Sequence, residues 1–188
     1  MQKNIAKGVI IYEMNFTERE IIEGCIRKEE KFQRLLYDKY SPQIFGICRK
    51  NARSKEDAED IFQDGFIKLF SSLHKYSFAG SFEGWLRIFF MRVAWNYYRD
   101  KKDKYPKTEI TVTLNTGVEN MVLDKFSNEQ LVWALEQLGD KERMVFVMSE
   151  VEDVDLSTVA LQTGLKEVTI RSMNSRTKKK LLNYFFKI

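Results

Sequence analysis

The residues best equipped for chemistry in this sequence are cations and hydroxyls spaced along a stretch near its C-terminal end. Between 166 and 187 stand seven Lys/Arg residues against one acid, Glu167. At helical spacing Ile170, Met173, Thr177 and Leu181 share one face, while Lys166, Thr169, Arg171, Ser172, Ser175, Arg176, Lys178 and Lys179 present another. Such a helix suits a DNA groove, because arginine pairs with guanine edges or phosphate and hydroxyls donate to the backbone. Upstream lie the other parts of a helix-turn-helix: Val159 and Ala160 at the crossing point, Gly164 in the turn, and Leu165 leading into Ile170 and Met173. An ordinary surface helix of a bundle is the bland alternative; spacing, turn and charge together weigh against it.

A second cationic stretch spans 85–107, with Arg87, Arg92, Arg99, Lys101, Lys102, Lys104 and Lys107 against Asp100 and Asp103. Aromatic residues crowd the same region: Phe82, Trp85, Phe89, Phe90, Trp95, Tyr97 and Tyr98. By spacing, Phe82, Leu86, Phe89, Val93 and Tyr97 form a core face, which leaves Ile88, Arg92, Trp95, Asn96 and Arg99 on another. Bases can stack on an exposed tryptophan while arginines neutralise phosphate, at about 1 to 3 kcal/mol per stacked base. Taken alone, an aromatic cluster is more often core than binding site.

Asp57, Asp60 and Asp64 fall along one side of an acidic helix. Three carboxylates could hold a divalent cation, yet no histidine is near in sequence and no metal-binding loop is recognisable. A solvated face and a docking face for a basic protein remain as readings. No cofactor is expected, and no catalytic residue: the single histidine, His74, sits at a helix end beside Lys75 with no nucleophile paired to it, and no phosphate-cradling glycine loop occurs. Cys25 and Cys48 lack metal-ligand spacing and are expected to be buried free thiols.

These groups must be positioned by helices. Prolines number only two, and apolar residues recur at helical spacing. The expected class is all-α, with two helical domains joined by a flexible linker, the second carrying the helix-turn-helix. In the first domain, 16–104, helices are expected near 18–28, 30–50, 54–73 and 82–103. Thr17 with Glu20, and Ser54 with Asp57, should form capping boxes. Pro106, four threonines and Gly117 mark residues 105–126 as linker. The second domain, 127–188, should hold helices near 129–138, 140–150, 156–163 and 166–186, with Gly139 and Gly164 as left-handed helix ends. Residues 1–15 read as an N-terminal extension without helical periodicity, disordered on one reading, and Met14 as the biological start. No apolar run approaches the ~18 residues of a membrane span, so a cytoplasmic protein without direct membrane insertion is expected. Net charge is only +4, but two separated basic stretches suggest two footprints on one polyanion.

Several segments stand in a familiar order: Phe32-Gln33-Arg34-Leu35-Leu36-Tyr37-Asp38-Lys39-Tyr40, then Asp57-Ala58-Glu59-Asp60-Ile61-Phe62-Gln63-Asp64-Gly65-Phe66, then Ser81-Phe82-Glu83-Gly84-Trp85-Leu86, then Leu135-Glu136-Gln137-Leu138 before the helix-turn-helix. Across about 16–186 the chain resembles the extracytoplasmic-function sigma factors of bacterial RNA polymerase. The resemblance implies that Asp57, Asp60, Gln63 and Asp64 dock on the clamp coiled coil of the polymerase's largest subunit, with the flap as a further contact. It implies that the loop carrying Ser77, Phe78, Gly80 and Ser81 takes a flipped base of the promoter -10 element, with Arg92, Trp95, Asn96 and Arg99 facing the strand. Lys166, Thr169, Arg171, Ser172, Ser175, Arg176 and Lys179 would read the -35 duplex, and an anti-sigma protein is an implied further partner. The chain departs from the pattern at Ile88, Arg92 and Asn96, where arginine, asparagine and aspartate are usual, so an unusual -10 preference is expected. It departs again at Val168 and Asn174, where glycine and leucine are common, and at Val154-Asp155-Leu156, where Asp155 should serve as N-cap. An autonomous helix-turn-helix repressor or activator is the alternative, and binding to core polymerase separates the two.

Overall fold

In the computed structural model, residues 16–100 and 127–186 are described, together with the backbone of residues 5–6 and 9–10. The described residues form helices α1 (Glu18–Ile26), α2 (Glu30–Asn51), α3 (Lys55–Ser72) and α4 (Phe82–Asp100), then α5 (Asn128–Glu136), α6 (Asp140–Phe146), α7 (Leu156–Thr163) and α8 (Glu167–Phe186). The all-α class holds. Strands β1 (Ile5–Ala6) and β2 (Val9–Ile10) make one short antiparallel ladder, too small to alter it. The rest of the expected extension 1–15, the start at Met14 and the linker 105–126 lie outside the described residues. Among the described residues no helix is long and apolar enough to cross a membrane.

Helix ends follow local chemistry. The Thr17 hydroxyl accepts the Glu20 N–H at 3.2 Å and the Glu20 carboxylate accepts the Thr17 N–H at 2.7 Å, closing the capping box that starts α1. At α3 the hydroxyl half is in place, Ser54 Oγ accepting the Asp57 N–H at 3.2 Å. The Asp57 carboxylate, expected to complete that box, is turned to α4, where it accepts the hydroxyls of Tyr97 at 2.7 Å and Tyr98 at 2.9 Å. Gly164 is left-handed (φ 71°) and ends α7 as expected. Gly139 is not: its φ of -62° and ψ of 147° are extended, because it caps the start of α6 rather than the end of α5. The helix expected over 140–150 changes at Val147–Val151 into a π turn, in which the Glu152 N–H reaches the Val147 carbonyl at 2.9 Å.

Close packing sets the first domain. A Cβ on Gly65 would lie 2.3 Å from the Phe90 ring, and one on Gly24 would lie 2.1 Å from that of Phe32, so these glycines let α3 meet α4 and α1 meet α2. The buried side of α4 is Phe82, Leu86, Phe90, Met91, Val93, Ala94 and Tyr98. Phe89 and Tyr97, expected in the core, are only half-buried. The arc is rotated because α4 is gripped by α2, α3 and α6 together rather than by one neighbour. Cys25 and Cys48 are free and buried, and burial pushes both thiols up to about 12.

Candidate nucleic-acid interface

The helix-turn-helix is built as its sequence demands. Asp155 caps α7 by accepting the Thr158 N–H at 2.8 Å, and hydrogen bonds from Ser157 and Thr158 hold its carboxyl down at about 2. Val159, Ile170, Met173, Thr177 and Leu181 are buried, and these residues seat α8 on α7 and α6. Lys166, Thr169, Arg171, Ser172, Ser175 and Arg176 are all exposed, while Lys179 and Lys178 are half-buried. Lys178 is drawn to Glu150 at 2.6 Å, and Arg171 lies 3.6 Å from Glu167 one turn earlier. Asn174, the departure from a common leucine, is buried and packs through polar contacts: its amide donates to Ser149 Oγ at 2.7 Å and to Glu150 Oε1 at 3.0 Å.

On the first domain, Arg92 and Arg99 are exposed on α4, and Trp95 and Asn96 are half-buried beside them. Trp95 therefore keeps part of its ring in contact with the core and part toward solvent. The preceding loop is held from within. Tyr76 is buried and donates its hydroxyl to the Gly80 carbonyl at 2.8 Å, closing a turn in which Phe78 (φ 58°) and Gly80 (φ 81°) are both left-handed. Phe78 rests against Tyr76 at 5.1 Å and beneath the Arg19 guanidinium at 4.7 Å. Ser77, Gly80 and Ser81 face solvent.

The acidic helix sits behind α4. Asp60 and Gln63 are exposed, Asp57 and Asp64 half-buried. Asp57 and Asp60 both accept the Tyr97 hydroxyl, at 2.7 and 3.0 Å, and Asp64 pairs with Lys68 at 2.5 Å. Among the described residues no group of three or more His, Cys, Asp and Glu side chains is placed together as a metal site would need.

One set of residues escaped the sequence reading. The two domains meet through an ionic seam: Arg49 pairs with Glu136 at 2.9 Å, Lys50 with Glu152 at 2.9 Å, Arg87 with Glu152, and Arg53 with Asp140. At its centre the wholly buried Arg143 donates to the Asn51 carbonyl at 3.0 Å and to Asp140 at 2.8 Å, with its guanidinium 5.3 Å from the Tyr98 ring. Burial alone would raise the Glu152 carboxyl, but hydrogen bonds from Lys50 and Arg87 outweigh it and hold the group below the usual carboxylate range. Arg53 and Arg143 do the same for Asp140. The signal available was the acidic excess over 127–155, whose partners lie far off in the chain.

Comparison with known proteins matches these two units separately. Residues 36–104 match Sigma-70 region 2 and residues 128–181 match Sigma-70, region 4, together more than half of the chain. The ECF RNA polymerase sigma factor SigE of Mycolicibacterium smegmatis is 25% identical over 161 residues, covering 81% of this chain and 61% of that protein. SigW of Bacillus subtilis is 24% identical over 158 residues, covering 78% and 84%, and the ECF sigma-E factor of Haemophilus influenzae is 22% identical over 179, covering 89% and 94%. In fold, the chain is similar to the sigma factor RpoE of Bartonella quintana, solved with the anti-sigma factor NepR (TM-score 0.55, 16% identity, 82% of this chain and 96% of that one). It is also similar to CnrH, solved with the cytosolic domain of CnrY (TM-score 0.54, 16% identity, 89% and 96%). With both sigma regions present in order and the relatives drawn from one group, the chain belongs to the extracytoplasmic-function sigma factors of the sigma-70 family.

Proposed function

We propose that this chain is the promoter-specificity subunit of RNA polymerase, docking on the core enzyme in the cytoplasm and directing it to -10 and -35 elements without catalytic chemistry of its own. The single observation that supports this best is the presence, in one chain, of two exposed cationic helix faces on separate sigma-type domains, with an acidic helix preceding both in sequence. Asp57, Asp60, Gln63 and Asp64 would meet the clamp coiled coil. Arg92, Trp95, Asn96 and Arg99, with the loop of Ser77, Phe78, Gly80 and Ser81, would engage the opened -10 strand, where the half-exposed Trp95 offers a stacking surface between two arginines. Lys166, Thr169, Arg171, Ser172, Ser175, Arg176 and Lys179 would enter the -35 major groove.

The ionic seam bears on this reading. Elements centred roughly 25 base pairs apart lie about 85 Å apart on a duplex rising about 3.4 Å per pair. Domains in direct contact cannot reach both, so the seam would have to part when promoter is engaged, and the anti-sigma partner is expected to favour the closed form. An autonomous repressor would use α7 and α8 but leaves the first domain's match to Sigma-70 region 2 without a role. Run-off transcription with purified core polymerase on genomic promoter fragments tests the proposal. Discrete transcripts that depend on the chain are expected; failure to initiate anywhere, with the chain folded, overturns it.

A further inference from the structure

We propose that Val168 reads a thymine methyl group in the -35 element, an assignment that rests on the promoter-reading role of α8. Val168 is 78% exposed in the first turn of α8, with Ile170 fully buried two residues on. An apolar side chain held in water on the leading turn of a groove-reading helix has no packing function in the folded chain. Its neighbours along the axis give it one. Val168, Arg171, Ser172 and Ser175 stand at i, i+3, i+4 and i+7, so they form a single outward stripe opposite Ile170, Met173, Thr177 and Leu181.

The composition of that stripe is matched to base edges. The N-terminal residues of a recognition helix are those that touch bases in the major groove. Ser172 and Ser175 are small and let the helix axis approach closely, Arg171 supplies a fork of donors, and Val168 supplies the only apolar surface among the four. In the major groove the apolar feature that distinguishes bases is the thymine C5 methyl. The face is also open while the domains are joined, since the elements through which the second domain meets the first are chiefly α5 and α6.

The test uses holoenzyme on a promoter it transcribes, with each -35 thymine replaced in turn by deoxyuridine, which deletes only the methyl. Burial of one methyl is worth about fourfold in affinity. Wild type is expected to lose about that factor at one or two positions. Val168→Ala is expected to bind the thymine promoter about fourfold more weakly and to lose all sensitivity to deoxyuridine, whereas Val168→Thr, which keeps one methyl, retains it. A flat deoxyuridine scan with wild type overturns the assignment, as does a Val168→Ala variant that remains equally sensitive. A variant that instead loses affinity for core polymerase moves Val168 to a protein contact and overturns it too. If wild-type holoenzyme initiates at no promoter, the underlying reading of the chain falls first, and the two failures are distinguishable.

Discussion

Glu152 is the point at which the closed arrangement of the domains is most exposed to perturbation. Its side chain is 3% exposed, and the carboxylate accepts from Lys50 on α2 and Arg87 on α4. Removing one partner of a buried ion pair costs about 3 to 5 kcal/mol, because the remaining charge is stranded. Here the stranded groups are cations whose side chains are still 25% and 33% exposed, and water recovers part of the loss. About 2 kcal/mol remains for Glu152→Ala, roughly a 30-fold rise in the open fraction. Adding Asp140→Ala strands Arg53 and Arg143 as well, and the double variant should be open in solution. Small-angle scattering should report a larger radius of gyration for the double variant, with helicity by circular dichroism retained. The pH dependence has a definite sign. Both carboxyls are depressed in the closed state, so the contact they stabilise is complete above the usual carboxylate range and is lost as pH falls through their lowered values, below about pH 4. A double variant as compact as wild type at neutral pH would refute the view that these ion pairs hold the domains together.

The remaining predictions concern the sites and the core. Reversing charge at Asp60 and Asp64 together to lysine should weaken binding to core polymerase at least tenfold while leaving the unfolding midpoint close to wild type, read by fluorescence anisotropy; unchanged affinity would remove the docking role from this face. Arg171→Ala or Arg176→Ala should cost about 1 to 3 kcal/mol on the cognate promoter if the side chain reaches a base edge, whereas equal loss on random duplex would demote that residue to a phosphate contact. Gly65→Ala must push a methyl into the Phe90 ring, and overpacking of that kind costs about 1 to 3 kcal/mol, visible as a lower urea midpoint with an unchanged slope.

Much of the fold was legible locally. Thr17 with Glu20, Asp155 before α7 and Gly164 after it act within one helical turn of themselves, so their roles survive any tertiary setting. The same holds in part for the helix-turn-helix, where buried Val159, Ile170 and Met173 recur at helical spacing on either side of the Gly164 turn. In α4 the pattern was degenerate. Aromatic residues on several sides gave periodicity no unique stripe, and the choice of Phe90 and Tyr98 over Phe89 and Tyr97 came from three helices pressing on α4 at once. The partners of Asp57 were equally out of reach, since the tyrosine hydroxyls that bind it lie 40 and 41 residues away.

The sequence by itself determined most of the helices, the caps at Thr17, Asp155 and Gly164, the helix-turn-helix and the positions of both cationic stretches, because each depends chiefly on side chains close to one another in the chain. Only the tertiary structure decided that Arg143 would be buried beneath Tyr98 and that Glu152 would be gripped by Lys50 and Arg87, pairs separated by 65 residues or more for Glu152. A charge carries no record in the sequence of which distant charge it will meet; that follows from how two packed helical units are brought face to face.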